Sequence, residues 1–281
     1  MSGELEKPWP DGRVGAVSLT FDDGLSSQLE LAAPILLEHG LRATFYVCPR
    51  GDDWQERLAP WRGIAAAGHE VGNHTVDHIC SHNFGWAGRR GLEECTLDDL
   101  TWQVSEGKRR LQELIPEQAE MTFCYPCYQA FIGVGESRRS YVPVVARHHP
   151  AGRGRGEAAN HPRGADLHYL WSWPAEGMRG PQIVGLIEQA ARQGRWAILT
   201  FHGIQQGGLA ITAEALRETA EHLREHADRL WTAPVLEVAE RLQQWLPNNP
   251  SASSRRSRGR RAAAGRITTV ARRTSEQFLL I

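Results

Sequence analysis

Val14-Gly15-Ala16-Val17-Ser18-Leu19-Thr20-Phe21 runs straight into Asp22-Asp23-Gly24. A short run of apolar and β-prone residues closed by a turn signal predicts a buried strand, which leaves two carboxylates at its C-terminal end. Ser26 or Ser27 can then cap a helix through Leu29, Ala32, Ala33, Leu36 and Leu37 that stops at Gly40; Pro34 fits it only if the helix starts late or kinks. The alternation continues with strand 41–48, a helical segment over 53–67, and a strand-like run 70–78. Thr96 and Asp99 form a capping-box pattern that opens a helix with Leu100, Val104, Leu111 and Leu114 on one side, and a short strand 121–125 breaks at Pro126. Residues 129–180 have little periodicity, with 141–146 and 169–173 as the strand candidates. Beyond them come helix 181–193, strand 196–201, helix 212–226, strand 230–233 and helix 234–245. Strands that alternate with helices predict an α/β fold, with right-handed βαβ units around a parallel sheet or barrel.

Composition bounds the function. With 281 residues, 41% hydrophobic and 23% charged, the chain can bury one large core. The formal net charge is −1, yet residues 251–281 hold eight Arg against one acidic residue, Glu276. We read 1–10 as an N-terminal extension, 11–247 as a single domain and 248–281 as a basic, disordered tail. The domain shows no basic stripe, so no nucleic-acid partner is expected from it. No run approaches the roughly 20 apolar residues of a membrane span. The five Cys are odd in number and scattered, and the first residues lack a secretory pattern, which together predict a cytoplasmic, reducing location.

The chemistry gathers at strand ends. His74 and His78 stand four apart, and His202 directly follows a strand. On a helical turn, imidazoles at i and i+4 share a face, so with a carboxylate they suit Zn²⁺, or Co²⁺, Ni²⁺, Mn²⁺ or Fe²⁺, and leave a position open for water. Such an ion lowers the pKa of its water to about 7 and polarises a carbonyl. Of the adjacent acids, Asp23 is the expected ligand and Asp22 the base; His202 would protonate a departing amine. The set reads as a metal-assisted amide hydrolase.

These residues resemble the polysaccharide deacetylases with a NodB homology domain, also called carbohydrate esterase family 4. Thr20-Phe21-Asp22-Asp23-Gly24 matches that family's first motif, residues 68–78 (GHEVGNHTVDH) its His-x-x-x-His motif, and Leu199 to His202 its closing motif. The resemblance implies a distorted (β/α) barrel of about seven strands. It makes Asp22 the base, Asp23, His74 and His78 the metal ligands, and His202 the acid. Its Arg-x-Pro-x-Tyr motif falls on Cys124-Tyr125-Pro126-Cys127-Tyr128, with Arg missing, where Pro126 supports the site and the Tyr128 backbone N–H would meet the oxyanion. The fourth motif, a stretch with Asp and Trp, is not recognisable, and Trp173 or Trp171 would line the pocket instead. The implied substrate is an N-acetylated amino sugar of a polysaccharide or glycoconjugate.

Blander readings stand beside each motif. Asp-Asp-Gly alone is an ordinary turn. Two His four apart are commonly a solvated helix face, and His74 to His78 loosely resembles a metallopeptidase motif with Asp in place of Glu. Cys124 and Cys127 form a C-x-x-C that we read as two buried small residues rather than a redox pair or half a zinc site. His69, His148, His149, His161 and His168 specify nothing by spacing. Rival functions are an amidohydrolase acting on a ureide or formamide, and a degenerate sugar-binding protein.

Overall fold

The computed structural model describes residues 7–88 and 90–248, so the expected basic tail lies, apart from its first residue, outside the described residues. Eight strands build one parallel sheet: β1 (Gly15–Phe21), β2 (Thr44–Val47), β3 (Glu70–Asn73), β4 (Phe123–Cys124), β7 (Gly152–Arg153), β8 (Trp173–Pro174), β9 (Trp196–Phe201) and β10 (Leu230–Thr232). β5 (Phe131–Ile132) and β6 (Arg139–Ser140) form a separate antiparallel hairpin. The order runs β7-β4-β3-β2-β1-β9-β8. β9 pairs along β1 from Ala16 to Phe21, while β10 and β2 divide the other edge, β10 at Gly15–Val17 and β2 at Thr20–Phe21. The ends of the order meet: Gly154 N–H donates to the Leu170 carbonyl (2.8 Å) and Gly156 N–H to the Ser172 carbonyl (3.2 Å), which curls the sheet into a distorted barrel.

The helices are α1 (Ala33–Glu38), α2 (Trp54–Leu58), α3 (Trp61–Ala66), α4 (Leu97–Leu114), α5 (Val142–His148), α6 (Gly180–Arg192), α7 (Ala213–Glu225) and α8 (Val235–Asn248). Side chains alternate across a strand. Val17, Leu19 and Phe21 of β1 therefore share a core with Ile35 and Leu36 of α1, Ile183 and Ile187 of α6, and Leu216 and Leu223 of α7. Ser18 and Thr20 take the opposite face, where Ser18 Oγ donates to the Ala233 carbonyl (2.7 Å) and accepts from Trp196 Nε1 (3.0 Å). Trp9 is buried with Trp196 and Trp245 beside α8.

The late start is the alternative that Pro34 takes, and two expectations change. The chain after Ser27 makes a π-helical turn over Gln28–Ala32 and becomes α-helical only at Ala33, so Pro34 lies in the first turn, where no N–H is needed. Pro60 divides the segment 53–67 into α2 and α3. Residues 141–146 are not a strand: Pro143 near the start of α5 lacks the N–H a ladder requires but suits a first helical turn.

Glu70 ties four elements together. Its buried carboxylate accepts from Thr122 N–H (2.7 Å) and Oγ1 (2.6 Å) before β4, from Thr44 Oγ1 (2.8 Å) on β2, and from Leu236 N–H (3.0 Å) in the first turn of α8. Glu70→Ala leaves two buried N–H groups unpaired and should lower the unfolding free energy by about 3 kcal/mol in urea denaturation; a loss under about 1 kcal/mol would show the network to be dispensable.

Candidate active site

The site rests on an aromatic ladder. Phe21 pairs in register with Phe45 and Phe201, and its ring stacks on theirs at centroid distances of 4.8 and 5.1 Å. Each ladder position is followed by a polar one, so Asp22 and His202 leave adjacent strands side by side, and Gln28 Nε2 donates to both of their carbonyls. Asp23 and Gly24 then take positive φ (76° and 65°), turning the Asp23 carboxylate back over the strand ends.

His74 and His78 converge by a different route from the helical turn expected. Asn73, the last residue of β3, accepts from Thr75 N–H at 2.9 Å through its side chain, and Thr75 and His78 adopt positive φ (65° and 55°). Gln103 on α4 clamps this loop: its Oε1 accepts from Val76 N–H (3.1 Å) and Asp77 N–H (2.9 Å), and its Nε2 donates to Asp77 Oδ2 (2.6 Å). α4 approaches so closely that a Cβ on Gly107 would lie 2.4 Å from Asn73 Oδ1. His74 Nδ1 sits 2.9 Å from the Cys124 carbonyl, which fixes the tautomer and frees Nε2. The Nε2 atoms of His74 and His78 come within 3.5 and 3.3 Å of Asp23 Oδ1. Burial would raise the Asp23 carboxyl, but the two imidazoles hold it well below the usual carboxylate range.

The Arg missing at position 124 is replaced from the neighbouring strand. Cys124 on β4 pairs with Arg153 on β7, and the fully buried Arg153 guanidinium forms an ion pair with Asp22, contacts Cys124 Sγ at 2.7 Å and reaches Ser172 Oγ at 3.4 Å. Burial would push the Asp22 carboxyl up; Arg153, aided by His74 and His202, outweighs it and holds the carboxyl below its ordinary range. A second replacement faces His202, whose Nδ1 lies 3.4 Å from Glu176 Oε1. Neither substitute was legible: β7 and β8 are two residues each, inside the aperiodic stretch 129–180.

Among the described residues, three donor groups could hold an ion: Asp23-His74-His78, Asp22-His74-Cys124 and His78-Cys80-Cys127. The sulfurs of the last are joined in a Cys80–Cys127 disulfide, and the Arg153 cation lies against both Asp22 and Cys124 in the second. Burial also keeps the Cys124 thiol protonated. Asp23-His74-His78 is the set that fits, with two imidazole nitrogens and a carboxylate facing a cavity of about 760 Å³. Asp22, His202, Glu176, Tyr128, Arg155, Phe84, Trp86 and Leu209 line the same cavity.

Several expectations need correction. Tyr128 N–H is committed to the Tyr125 carbonyl (2.9 Å), so it is not free for an oxyanion; the buried Tyr128 hydroxyl has no partner. Pro126 is buried beneath this turn, and Pro174 rather than Trp173 lines the cavity, since Trp173 packs against the apolar core. Cys127 is not an inert small residue, and its disulfide runs against the reducing location, because disulfides persist in oxidising surroundings. No helix among the described residues is long and apolar enough to cross a membrane.

Residues 11–130 match the sequence model of the polysaccharide deacetylase family. A chitooligosaccharide deacetylase from Sinorhizobium fredii is 35% identical over 111 residues, which cover 38% of this chain and 46% of that protein. Over these residues the chain is similar to the polysaccharide deacetylases. A gellan lyase from a Bacillus species is 33% identical over 70 residues, 25% of this chain and 3% of that protein, so the matches span less than half of either curated relative. The same fold is found in solved structures. One from Mycobacterium smegmatis, assigned as a polysaccharide deacetylase, superposes with a TM-score of 0.60 at 18% identity, covering 86% of this chain and 96% of that one. A peptidoglycan deacetylase from Bacillus subtilis gives 0.52 at 15% identity, covering 91% and 99%.

Two stability measurements test this architecture. Arg153→Met strands a buried carboxylate and should cost about 3–5 kcal/mol, against much less in an Asp22→Asn background. Equal losses in both backgrounds would show that the two do not act as a pair. Replacing Cys80 and Cys127 by Ser opens a loop with sequence separation 47 and should cost up to about 4 kcal/mol, seen as a lower Tm than the oxidised wild type.

Proposed function

We propose that the chain hydrolyses an N-acetyl group on an amino sugar of a polysaccharide or glycoconjugate and releases acetate. One observation carries the reading: Asp23, His74 and His78 converge on the cavity into which Asp22 and His202 also face. An ion on the triad, with Zn²⁺ the first choice for two nitrogens and one carboxylate, supplies Lewis acidity to the carbonyl and to water.

The chain's own residues do the rest. Asp22, kept ionised by Arg153, accepts the proton of the attacking water. His202, whose Nδ1 lies 3.4 Å from Glu176 Oε1, is placed to deliver a proton to the amine as the carbon–nitrogen bond breaks. The exposed Trp86, with Phe84 at a centroid distance of 4.8 Å, offers an aromatic face to a sugar ring.

Asp23→Ala and His74→Ala should each lose both stoichiometric zinc and acetate release from N-acetylglucosamine oligomers, measured by metal analysis and an acetate assay. Asp22→Asn should keep the metal and lose activity by about 10²-fold or more. Full acetate release by either ligand variant, or activity indifferent to chelation, would falsify the reading.

A further inference from the structure

We propose that the sugar taken by this cavity carries an anionic substituent, a carboxylate or a phosphate, gripped by the Arg155 guanidinium together with the Tyr128 hydroxyl. The inference rests on the deacetylase reading of the same cavity and adds the substrate's charge to it.

The geometry begins on β7. Arg153 ends β7, and Arg155 follows two residues on, past Gly154, whose N–H donates to the Leu170 carbonyl. Arg153 reaches inward to Asp22, while Arg155 is exposed and lines the cavity. The Tyr128 ring lies beside both, with the guanidinium carbons 5.5 and 5.9 Å from its centroid.

The other lining charges have partners: Asp22 has Arg153, Glu176 has His202, and Asp23 has the imidazoles that complete its donor set. Among the described residues, no carboxylate stands within ion-pair distance of Arg155, the one Lys or Arg that lines the cavity. A loaded metal triad adds further positive charge. An N-acetylated sugar that is neutral throughout would leave both Arg155 and the Tyr128 hydroxyl without a counterpart, whereas a carboxylate or phosphate accepts from both. The planar guanidinium fork matches either oxyanion.

The test is calorimetric binding of three probes to the zinc-loaded wild type: N-acetylglucosamine, N-acetylmuramic acid for the carboxylate, and N-acetylglucosamine 6-phosphate for the phosphate. At least one anionic sugar should bind about five- to tenfold more tightly than the neutral one, a preference that weakens with salt. Arg155→Gln should bring that ratio to about one and Arg155→Glu should invert it, while Tyr128→Phe reduces it in part. Whichever anionic probe shows the preference identifies the substituent. Equal binding of all three sugars, binding of none, or a preference that survives Arg155→Gln overturns the proposal. Acetate release, followed in parallel, separates the two readings. Anion selectivity without acetate release sinks the deacetylase assignment alone, and acetate release without selectivity sinks only this one.

Discussion

Everything at the site depends on the in-register parallel pairing of β1 with β9 and β2, pinned where Phe45, Phe21 and Phe201 stack. A strand alternates faces residue by residue, so a slip of one position would turn Asp22 into the helix-covered core and bring Phe21 into the cavity. The stacked rings make that slip costly, because each buries its area against the next. The ladder is therefore the floor of the site. Asp22 and His202, the residues after Phe21 and Phe201, are delivered side by side to the same edge of the barrel.

A buried carboxylate beside a metal site needs a counter-charge, and the structure shows how loosely that need constrains sequence. The motif that residues 124–128 resemble has Arg at the position of Cys124. Here the small thiol leaves room for a guanidinium arriving from the adjacent strand, at the residue paired with Cys124 itself. The electrostatic requirement is met at a point in space, and two neighbouring strands can each reach it. The same holds for His202, where Glu176, just beyond the end of β8, stands in for an acid that the motif pattern lacked. At both positions the charge that the motif pattern lacked lies on a residue of a neighbouring segment.

The loop that carries His74 and His78 makes a related point about rigidity. It is not helical, and two of its residues sit at positive φ, so its shape is imposed from outside by Asn73 and by Gln103 on α4. The Cys80–Cys127 disulfide ties the far end of this loop to the turn that bears Tyr128. The His pair, the Tyr128 hydroxyl and the cavity wall are held as one unit, which suits a site whose donors must be preorganised.

The sequence alone determined the frame: periodicity located the long strands and helices, and the spacing of Asp22, Asp23, His74, His78 and His202 placed polar residues at strand C-termini. These signals are local, since a strand or a motif is written in consecutive residues. Only the tertiary structure decided that Arg153 and Glu176 stand opposite Asp22 and His202, that Tyr128 spends its N–H on the Tyr125 carbonyl, and that Cys127 pairs with Cys80. β7 and β8 are two residues long, too short for any period to register, and their partners lie far away in the chain. Contacts between such fragments follow from how the barrel closes, and closure is a property of the whole sheet.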